Sequence, residues 1–202
     1  MRRVALIPVK RLSRSKTRLG GRLEAVERAS LSVSILTKVA RACRDAGLHP
    51  ILLSPDKHVK ALASLHGWGY FSDTGHSLRS SVSAALNKIV RSGASEVLVV
   101  HADLPFLSPD DLRQIISVSK GADIVLCPNL AVDGTNIVYV KKPKSFRPMY
   151  GRESFSRHLR YHLSCGLRVK TFISLGSALD IDTPKDLRLL SHLSPLSKPS
   201  NG

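Results

Sequence analysis

The pattern of hydrophobic positions predicts strands and helices that alternate along the first 127 residues. Short segments that are apolar throughout indicate buried strands, whereas apolar positions recurring every three or four residues indicate helices. Leu31, Ile35 and Val39 show the helical spacing in the first long segment. The predicted strands are 4–9, 49–53, 68–71, 96–100 and 122–127, and helices are predicted to begin near residues 23, 55, 77 and 109.

The last third of the chain is less regular. It contains predicted strands at 136–140 and 168–173, predicted helices at 154–165 and 185–193, and a basic loop at 141–150. We expect residues 1–193 to form one domain. Residues 194–202, rich in Ser, Pro and Lys, are expected to form a flexible tail.

Alternating strands and helices predict an α/β fold in which helices cover both faces of a parallel sheet. Sheets of this kind bind ligands beyond the C-terminal ends of their strands. Three chemically distinctive stretches follow predicted strands, namely residues 9–22, 72–77 and 103–107. We therefore expect these stretches to line one edge of the sheet.

Positive charge is concentrated in two segments. The 202-residue chain has 31 Lys and Arg against 15 Asp and Glu, a net charge of +16. Residues 1–44 hold 12 basic and 2 acidic residues, and residues 141–170 hold 9 basic and 1 acidic residue. The two segments would converge on one anionic ligand, or would form a solvated basic surface with nonspecific affinity for nucleic acid.

Composition and cysteine usage narrow the class of protein. The chain is 43% hydrophobic and 23% charged, which is typical of a globular protein and excludes a mostly disordered chain. No apolar run approaches the roughly 18 residues of a membrane span, and the N-terminal apolar run is too short for a signal peptide. Cys43, Cys127 and Cys165 lack metal-ligand spacing, so we expect buried thiols and a cytoplasmic protein.

The basic loop at residues 10–22 follows a strand and precedes a helix, as phosphate-binding loops do. It matches neither Gly-x-x-x-x-Gly-Lys-Ser/Thr nor Gly-x-Gly-x-x-Gly. Lys10, Lys16 and Arg18 would instead bind a polyphosphate through their side chains. The alternative is a loop that simply faces solvent.

Aspartates mark a candidate magnesium site. Asp103 follows a buried strand and would point into the cleft as a Mg²⁺ ligand, or would cap the turn made with Pro105. Asp180 and Asp182 lie two positions apart in an extended segment. We expect them to face opposite sides, so that only one meets the metal. Alternatively, Asp182 is the N-cap of the helix beginning at Pro184.

Small hydroxyl residues lie on either side of the second basic segment. Thr135 and Ser154, with the backbone N–H groups around them, suit a phosphate or carboxylate, and Ser154 starts a predicted helix. The alternatives are turn chemistry for Thr135 and helix capping for Ser154. His158 and His162 are four apart but lack the Glu of a zinc-binding motif, so they are interpreted as an ordinary helix face.

Taken together, these stretches resemble the 2-phospho-L-lactate guanylyltransferases, the CofC/FbiD family of coenzyme F420 biosynthesis. The resemblance covers about residues 4–190, with the motifs in family order. Gly-Thr-Asn followed by Tyr-Gly-x-x-Ser-Phe is its most distinctive part. The motifs lie at 7–10, 15–19, 102–105, 134–136, 150–155 and 180–184.

The resemblance implies a Rossmann-like mixed sheet of the glycosyltransferase-A type. It implies a guanylyltransferase that uses GTP and Mg²⁺ to convert (2S)-2-phospholactate into lactyl-2-diphospho-5′-guanosine and pyrophosphate, and by analogy a homodimer. Phosphoenolpyruvate, a sugar phosphate or molybdopterin are alternative acceptors. A nucleic-acid binding protein is a more distant alternative, disfavoured by the 5% aromatic content and the lack of a known binding motif.

The resemblance also assigns roles residue by residue. Lys16, Arg18 and Asp103 would be catalytic, and Asp103 with Asp182, or with Asp180, would hold the metal. At 75–79, Gly-His-Ser-Leu-Arg replaces the family's Gly-x-Gly-Leu-Asn, which leaves the base contacts open and adds an arginine beside the nucleotide. The nucleotide would contact Pro8, Lys10, Lys16, Arg18, Leu78 and Arg79, and the phosphoacid would contact Thr135, Gly151 and Ser154.

Overall fold

The computed structural model describes residues 3–193, with side chains as far as residue 189. The predicted tail, 194–202, lies outside the described residues, and the single-domain boundary stays a prediction. Seven strands form one sheet in the order β3-β2-β1-β4-β6-β5-β7. The strands are β1 (Arg3–Pro8), β2 (His49–Ser54), β3 (Gly69–Ser72), β4 (Glu96–Val100), β5 (Ile124–Pro128), β6 (Thr135–Val140) and β7 (Val169–Thr171).

The sheet is mixed, as the resemblance implies. β1 pairs in parallel with β2 and β4, β2 with β3, and β5 with β7, whereas β6 runs antiparallel to both β4 and β5. The strands predicted within residues 1–127 are parallel to one another, as expected, and the antiparallel β6 follows that region. The cause of its direction is the short connection at 129–134, because only antiparallel neighbours can be joined so tightly.

Seven helices are described, and their ends follow local capping chemistry. The Ser108 hydroxyl accepts the Asp111 N–H at 3.1 Å and Pro109 is the first helical residue, as predicted. The second helix begins at Lys57 rather than at Pro55, because the Asp56 carboxylate supplies its cap. The helices are α1 (Ala25–Asp45), α2 (Lys57–His66), α3 (Leu78–Arg91), α4 (Pro109–Val118), α5 (Ser154–Ser164), α6 (Leu175–Ala178) and α7 (Pro184–Leu193).

Hydrophobic side chains pack against both faces of the sheet. Along β4, Leu98 and Val100 join one core cluster while Val97 and Val99 join the other, since successive side chains of a strand alternate. α1, α2 and α4 contribute to the first cluster, and α3 and α5 to the second. Within residues 3–193, no helix is long and apolar enough to cross a membrane.

The three cysteines differ in burial. Cys43 and Cys127 are buried in the core, as predicted. Cys165 is exposed, so its assignment to the core was wrong. α5 ends at Ser164, and Cys165 is its C-cap, beyond the buried helix residues Ser154, His158 and His162.

The direction of β6 brings its first residues to the edge where the parallel strands end. The N–H of His101, just after β4, donates to the Asn136 carbonyl at 3.0 Å. The C-terminal ends of β1 and β4 and the N-terminal end of β6 therefore meet at one edge of the sheet. Ligand-binding loops are expected at this edge in α/β folds.

Candidate active site

Three aspartates meet beyond the end of β4. Asp103 follows that strand, and Asp180 and Asp182 lie between α6 and α7. One carboxylate oxygen from each lies within 4.8 Å of the other two. The Ile181 N–H donates to the Asp103 carbonyl at 3.1 Å, which holds the two chain segments together. Asp103 and Asp182 are therefore neighbours, as the sequence predicted, and Asp180 lies beside them.

The expectation that Asp180 and Asp182 face opposite sides was wrong. Side chains two positions apart in an extended chain lie on the same side, and both carboxylates point towards Asp103. Asp182 is also not the cap of α7. That end is closed by Thr183, whose N–H donates to the Asp186 carboxylate at 2.7 Å and whose hydroxyl accepts the Asp186 N–H at 3.4 Å.

The aspartate cluster is electrostatically strained. Burial, with the charge of Asp103, raises the pKa of Asp180 to about 6. Burial and Asp103 also raise the pKa of Asp182. The Asp103 Oδ1 atom is buried and has no hydrogen-bond partner in the described part of the chain. Close carboxylates with an unsatisfied buried oxygen fit a hard divalent cation.

The basic loop reaches the same cluster. Lys16 adopts a left-handed backbone conformation, with φ 50°, and its ammonium group donates to the Ile181 carbonyl. Against the effect of burial, the charges of Lys16, Lys10 and Arg18 lower the pKa of Asp182. The three cations predicted to bind a polyphosphate thus lie near Asp182, one of the predicted metal ligands.

The loop is ordered by contacts within the fold rather than only facing solvent. It folds into two short 3₁₀ turns, Leu12–Arg14 and Thr17–Leu19, and Leu19 is fully buried. The Leu12 N–H donates to Asp56 at 2.8 Å, which ties the loop to the start of α2. The cations are therefore carried on a loop that is fixed at several points.

The other residues predicted to contact the nucleotide lie at the same edge. Pro8 ends β1, and Leu78 and Arg79 are the first residues of α3, which follows β3. Arg79 is half-buried and forms no side-chain ion pair among residues 3–189. Their roles towards a nucleotide stay predictions.

Thr135 and Ser154 form a buried hydroxyl pair. Thr135 is the first residue of β6, and Ser154 is the first residue of α5. The Ser154 hydroxyl donates to Thr135 Oγ1 at 3.3 Å. Neither alternative for these residues holds, because Thr135 lies in a strand and the N-cap of α5 is Glu153, with no side-chain cap.

Gly151 lies in the loop just before α5, at a position whose backbone conformation requires glycine. Its φ of 125° is accessible almost only to glycine. A Cβ there would lie 3.4 Å from Arg157 Nη1. The guanidinium of Arg157 is therefore a further cation beside the predicted acceptor residues, and sequence analysis did not single it out.

Asn136 connects the hydroxyl pair to the aspartates. Its Nδ2 atom donates to the carbonyls of Ser177 and Ala178 at 3.2 and 3.1 Å, and to Asp180 Oδ1 at 3.5 Å. It follows Thr135 directly in the chain. Sequence analysis included Asn136 only in a motif. The signal available in the sequence was its position, because Asn136 is a polar side chain that lies between a predicted turn and the apolar residues of a predicted strand.

His158 and His162 are more than an ordinary helix face. Both are fully buried, and their Nε2 atoms accept the N–H groups of Met149 and Arg147 at 2.8 and 3.2 Å. Burial lowers the pKa of His158 to about 3 and also lowers that of His162. The two rings hold the backbone of the second basic segment against α5.

Comparison with known proteins adds sequence evidence. The family model described as "Guanylyl transferase CofC like" matches residues 3–194. A phosphoenolpyruvate guanylyltransferase of Sphaerobacter thermophilus is 34% identical, with 100% of this chain and 98% of the relative covered. A 2-phospho-L-lactate guanylyltransferase of Methanosarcina mazei is 31% identical, with 93% of this chain and 86% of the relative covered.

Solved structures share the fold. A protein from Desulfovibrio desulfuricans G20 assigned as a nucleotide-diphospho-sugar transferase superposes with a TM-score of 0.81 at 16% identity, covering 98% of this chain and 90% of that chain. A manganese complex of Rv0371c from Mycobacterium tuberculosis H37Rv gives a TM-score of 0.58 at 20% identity, covering 96% and 100%. These likenesses establish the α/β fold expected for a nucleotidyltransferase.

Proposed function

Because the chain belongs to the CofC-like guanylyl transferase family, we propose that it transfers GMP from GTP to a phosphorylated three-carbon acid and releases pyrophosphate. The observation that carries this proposal is the meeting of three aspartates with Lys10, Lys16 and Arg18 at one edge of the sheet. Such a site combines metal ligands with cations for a triphosphate.

The basic loop would hold the triphosphate of GTP. Lys16 and Arg18 would neutralise charge that develops on the phosphates during transfer, with Lys10 beside them. Pro8 and the start of α3, Leu78 and Arg79, would contact the rest of the nucleotide. Lysine and arginine side chains suit this task because they donate charge-assisted hydrogen bonds to phosphate oxygens.

Asp103, Asp180 and Asp182 would hold a divalent cation, for which we propose Mg²⁺. When bound, the cation would supply positive charge at the phosphate oxygens. The unsatisfied Asp103 oxygen and the raised pKa of Asp180, caused by burial and by Asp103, support this assignment. The structural relative crystallised with manganese is consistent with a divalent metal in this fold.

The hydroxyl pair and the loop before α5 would bind the acceptor. Thr135 would donate a hydrogen bond to one of its anionic oxygens, and Ser154, whose hydroxyl donates to Thr135, would contact it through the backbone N–H at the start of α5. Gly151 would allow close approach of the backbone. The N-terminus of α5 favours an anion because its first N–H groups have no partner within the helix.

The transfer step needs no strong general base. An oxygen of the acceptor phosphate attacks the α-phosphorus of GTP, forming one P–O bond as the bond to the β-phosphate oxygen breaks. The electron pair leaves with pyrophosphate. Repulsion between the two anions is the main barrier, and the cationic residues at the site lower it.

The relatives named above use two acceptors that differ only by unsaturation at the carbon bearing the phosphate. The relative named for phosphoenolpyruvate is 34% identical over the whole chain, against 31% for the one named for 2-phospholactate. This difference favours phosphoenolpyruvate as the acceptor here, with 2-phospho-L-lactate as the second candidate.

A substrate panel tests the proposal. The purified protein is incubated with Mg²⁺, each of the four NTPs, and phosphoenolpyruvate, 2-phospho-L-lactate, a sugar phosphate or no acceptor, and pyrophosphate release is measured. We expect release only with GTP and one of the two three-carbon acids. No release with either acid, combined with tight and strongly salt-dependent binding to DNA or RNA, would overturn the proposal in favour of nucleic-acid binding.

A further inference from the structure

The protonation state of His158 follows from its hydrogen bonds. The Met149 N–H donates to Nε2 at 2.8 Å, so Nε2 carries no proton. Burial lowers the pKa of His158 to about 3, although the nearby Ser154 backbone opposes this shift, so the ring is neutral near pH 7. Its single proton is therefore on Nδ1, which faces Thr135 Oγ1 at 3.1 Å.

The Thr135 hydroxyl oxygen already accepts as many hydrogen bonds as it can. It has two lone pairs, and it receives Nδ1–H of His158 and the hydroxyl of Ser154. Neither neighbour can accept the Thr135 proton in this arrangement. No other described residue accepts a hydrogen bond from Thr135, although its side chain is buried. A buried hydroxyl proton without an acceptor is costly, which makes it available to a ligand.

We propose that His158 is a positioning residue, which turns the Thr135 hydroxyl outwards as a donor to an anionic oxygen of the acceptor. The identity of that acceptor rests on the proposed function. His158 itself does not touch the acceptor. It acts by occupying one lone pair of Thr135, while its other nitrogen fixes the loop that leads to Gly151.

His162 offers a matched comparison one turn later on α5. It is equally buried, its Nε2 accepts the Arg147 N–H at 3.2 Å, and its Nδ1 donates to the His158 carbonyl at 2.8 Å. It therefore anchors the same loop in the same way, but it does not contact Thr135. If α5 only required buried histidines for packing, replacing His158 and replacing His162 would have the same effect.

Three variants separate positioning from packing. Glutamine at 158 retains an acceptor near the Nε2 position but loses the donor to Thr135, whereas His158→Asn retains a donor near Nδ1. We expect His158→Gln to raise the KM for the acid about tenfold, equivalent to about 1.4 kcal/mol. The KM for GTP should stay within about twofold. We expect His158→Asn to raise the acid KM less than about threefold, and His162→Gln less than about twofold.

A double-variant cycle tests whether the effect passes through Thr135. In a Thr135→Val background, adding His158→Gln should raise the acid KM by less than about twofold, because the hydroxyl is already absent. An undiminished tenfold increase in that background would overturn the proposal. Equal effects of His158→Gln and His162→Gln would also overturn it.

NMR of the wild-type protein gives a test that needs neither activity nor a stable variant. With ¹⁵N-labelled histidine at pH 7, we expect the His158 signals of a neutral ring protonated at Nδ1. A proton on Nε2 would overturn the proposal. If wild-type protein turns over neither acid, the proposed function fails, while this spectrum still decides whether His158 can donate to Thr135.

Discussion

The ammonium group of Lys16 donates a hydrogen bond to the backbone carbonyl of Ile181, the residue between Asp180 and Asp182. Lys16 comes just after β1 and Ile181 comes near the end of the described chain, so the contact joins two distant segments. It places a positive charge beside the aspartate cluster. The left-handed backbone of Lys16, with φ 50°, is unusual for a lysine and marks a position that the fold enforces.

Replacing Lys16 tests whether this charge serves the nucleotide. We expect Lys16→Ala to lower kcat/KM for GTP about a hundredfold, because one cation at the triphosphate is lost. Steady-state kinetics with varied GTP measure the change. Arg14→Ala is the control, since Arg14 is an exposed cation in the same loop and should alter kcat/KM by less than about twofold. Equal losses of kcat/KM in the two variants would contradict a specific role for Lys16, because they would show that GTP responds only to the total charge of the loop.

Asp103→Asn should separate metal binding from folding. We expect loss of at least about a hundredfold in activity. Without divalent metal, the variant should be more stable, with Tm raised by about 2–4 °C, since the carboxylates repel one another. Thermal melts with EDTA, Mg²⁺ or Mn²⁺ measure both effects.

The metal-induced rise in Tm should disappear in Asp103→Asn and persist in Asp110→Asn. Asp110 is an exposed aspartate that pairs with Arg113 at 2.6 Å, outside the cluster. A full metal-induced shift in Asp103→Asn would contradict the assignment of Asp103 as a ligand.

Stability should fall as the solution becomes acidic because of His158 and His162. Burial lowers the pKa of both in the folded protein, to about 3 for His158, while an unfolded histidine titrates near its ordinary value. Below about pH 6.5 the unfolded chain therefore binds more protons. The free energy of unfolding should decrease by up to about 1.4 kcal/mol per pH unit for each histidine.

Urea denaturation with EDTA at pH 7.5, 6.5 and 5.5 measures this slope. His158→Gln and His162→Gln should each flatten it, whereas His76→Gln, at an exposed position, should leave it unchanged. The raised pKa of Asp180, due to burial and Asp103, acts in the opposite direction near pH 4–6. For this reason the comparison is between wild type and variants rather than between absolute values.

The backbone conformation of Val132, which is not a candidate active-site residue, gives a prediction about stability. Val132 is 50% exposed and has a φ of 59°, a conformation that β-branched residues rarely adopt. We expect Val132→Asn to raise the free energy of unfolding by about 0.5–1 kcal/mol, because asparagine tolerates this region. Val26→Asn, at an exposed helical position, should change it by less than about 0.5 kcal/mol. Denaturant titration of both variants would show whether the backbone conformation is the cause.

Local rules predicted many of the elements. The bounds of β4 match the predicted apolar run at 96–100, and α4 begins where Ser108 and Pro109 indicate. These features depend on neighbours within a few residues, so they are readable along the chain. The order of motifs also predicted the family, which the family model over residues 3–194 confirms.

Predictions failed where distant segments meet. The interpretation of His158 and His162 as a helix face missed the loop that their rings hold. Hydrogen bonds between residues far apart in sequence do not produce a periodic pattern along the chain, so they cannot be predicted from it.

The amino-acid sequence by itself determined most of the strands and helices, the two basic segments and the candidate residues, because charge, hydrophobic spacing and capping are local properties. Tertiary structure alone decided that three carboxylates share one space and that Lys16 reaches Ile181. It also placed His158 Nδ1 and Ser154 Oγ within hydrogen-bond distance of Thr135 Oγ1. Those relationships require bringing residues from several strands and loops to one edge of the sheet, and only the packing of the whole fold does so.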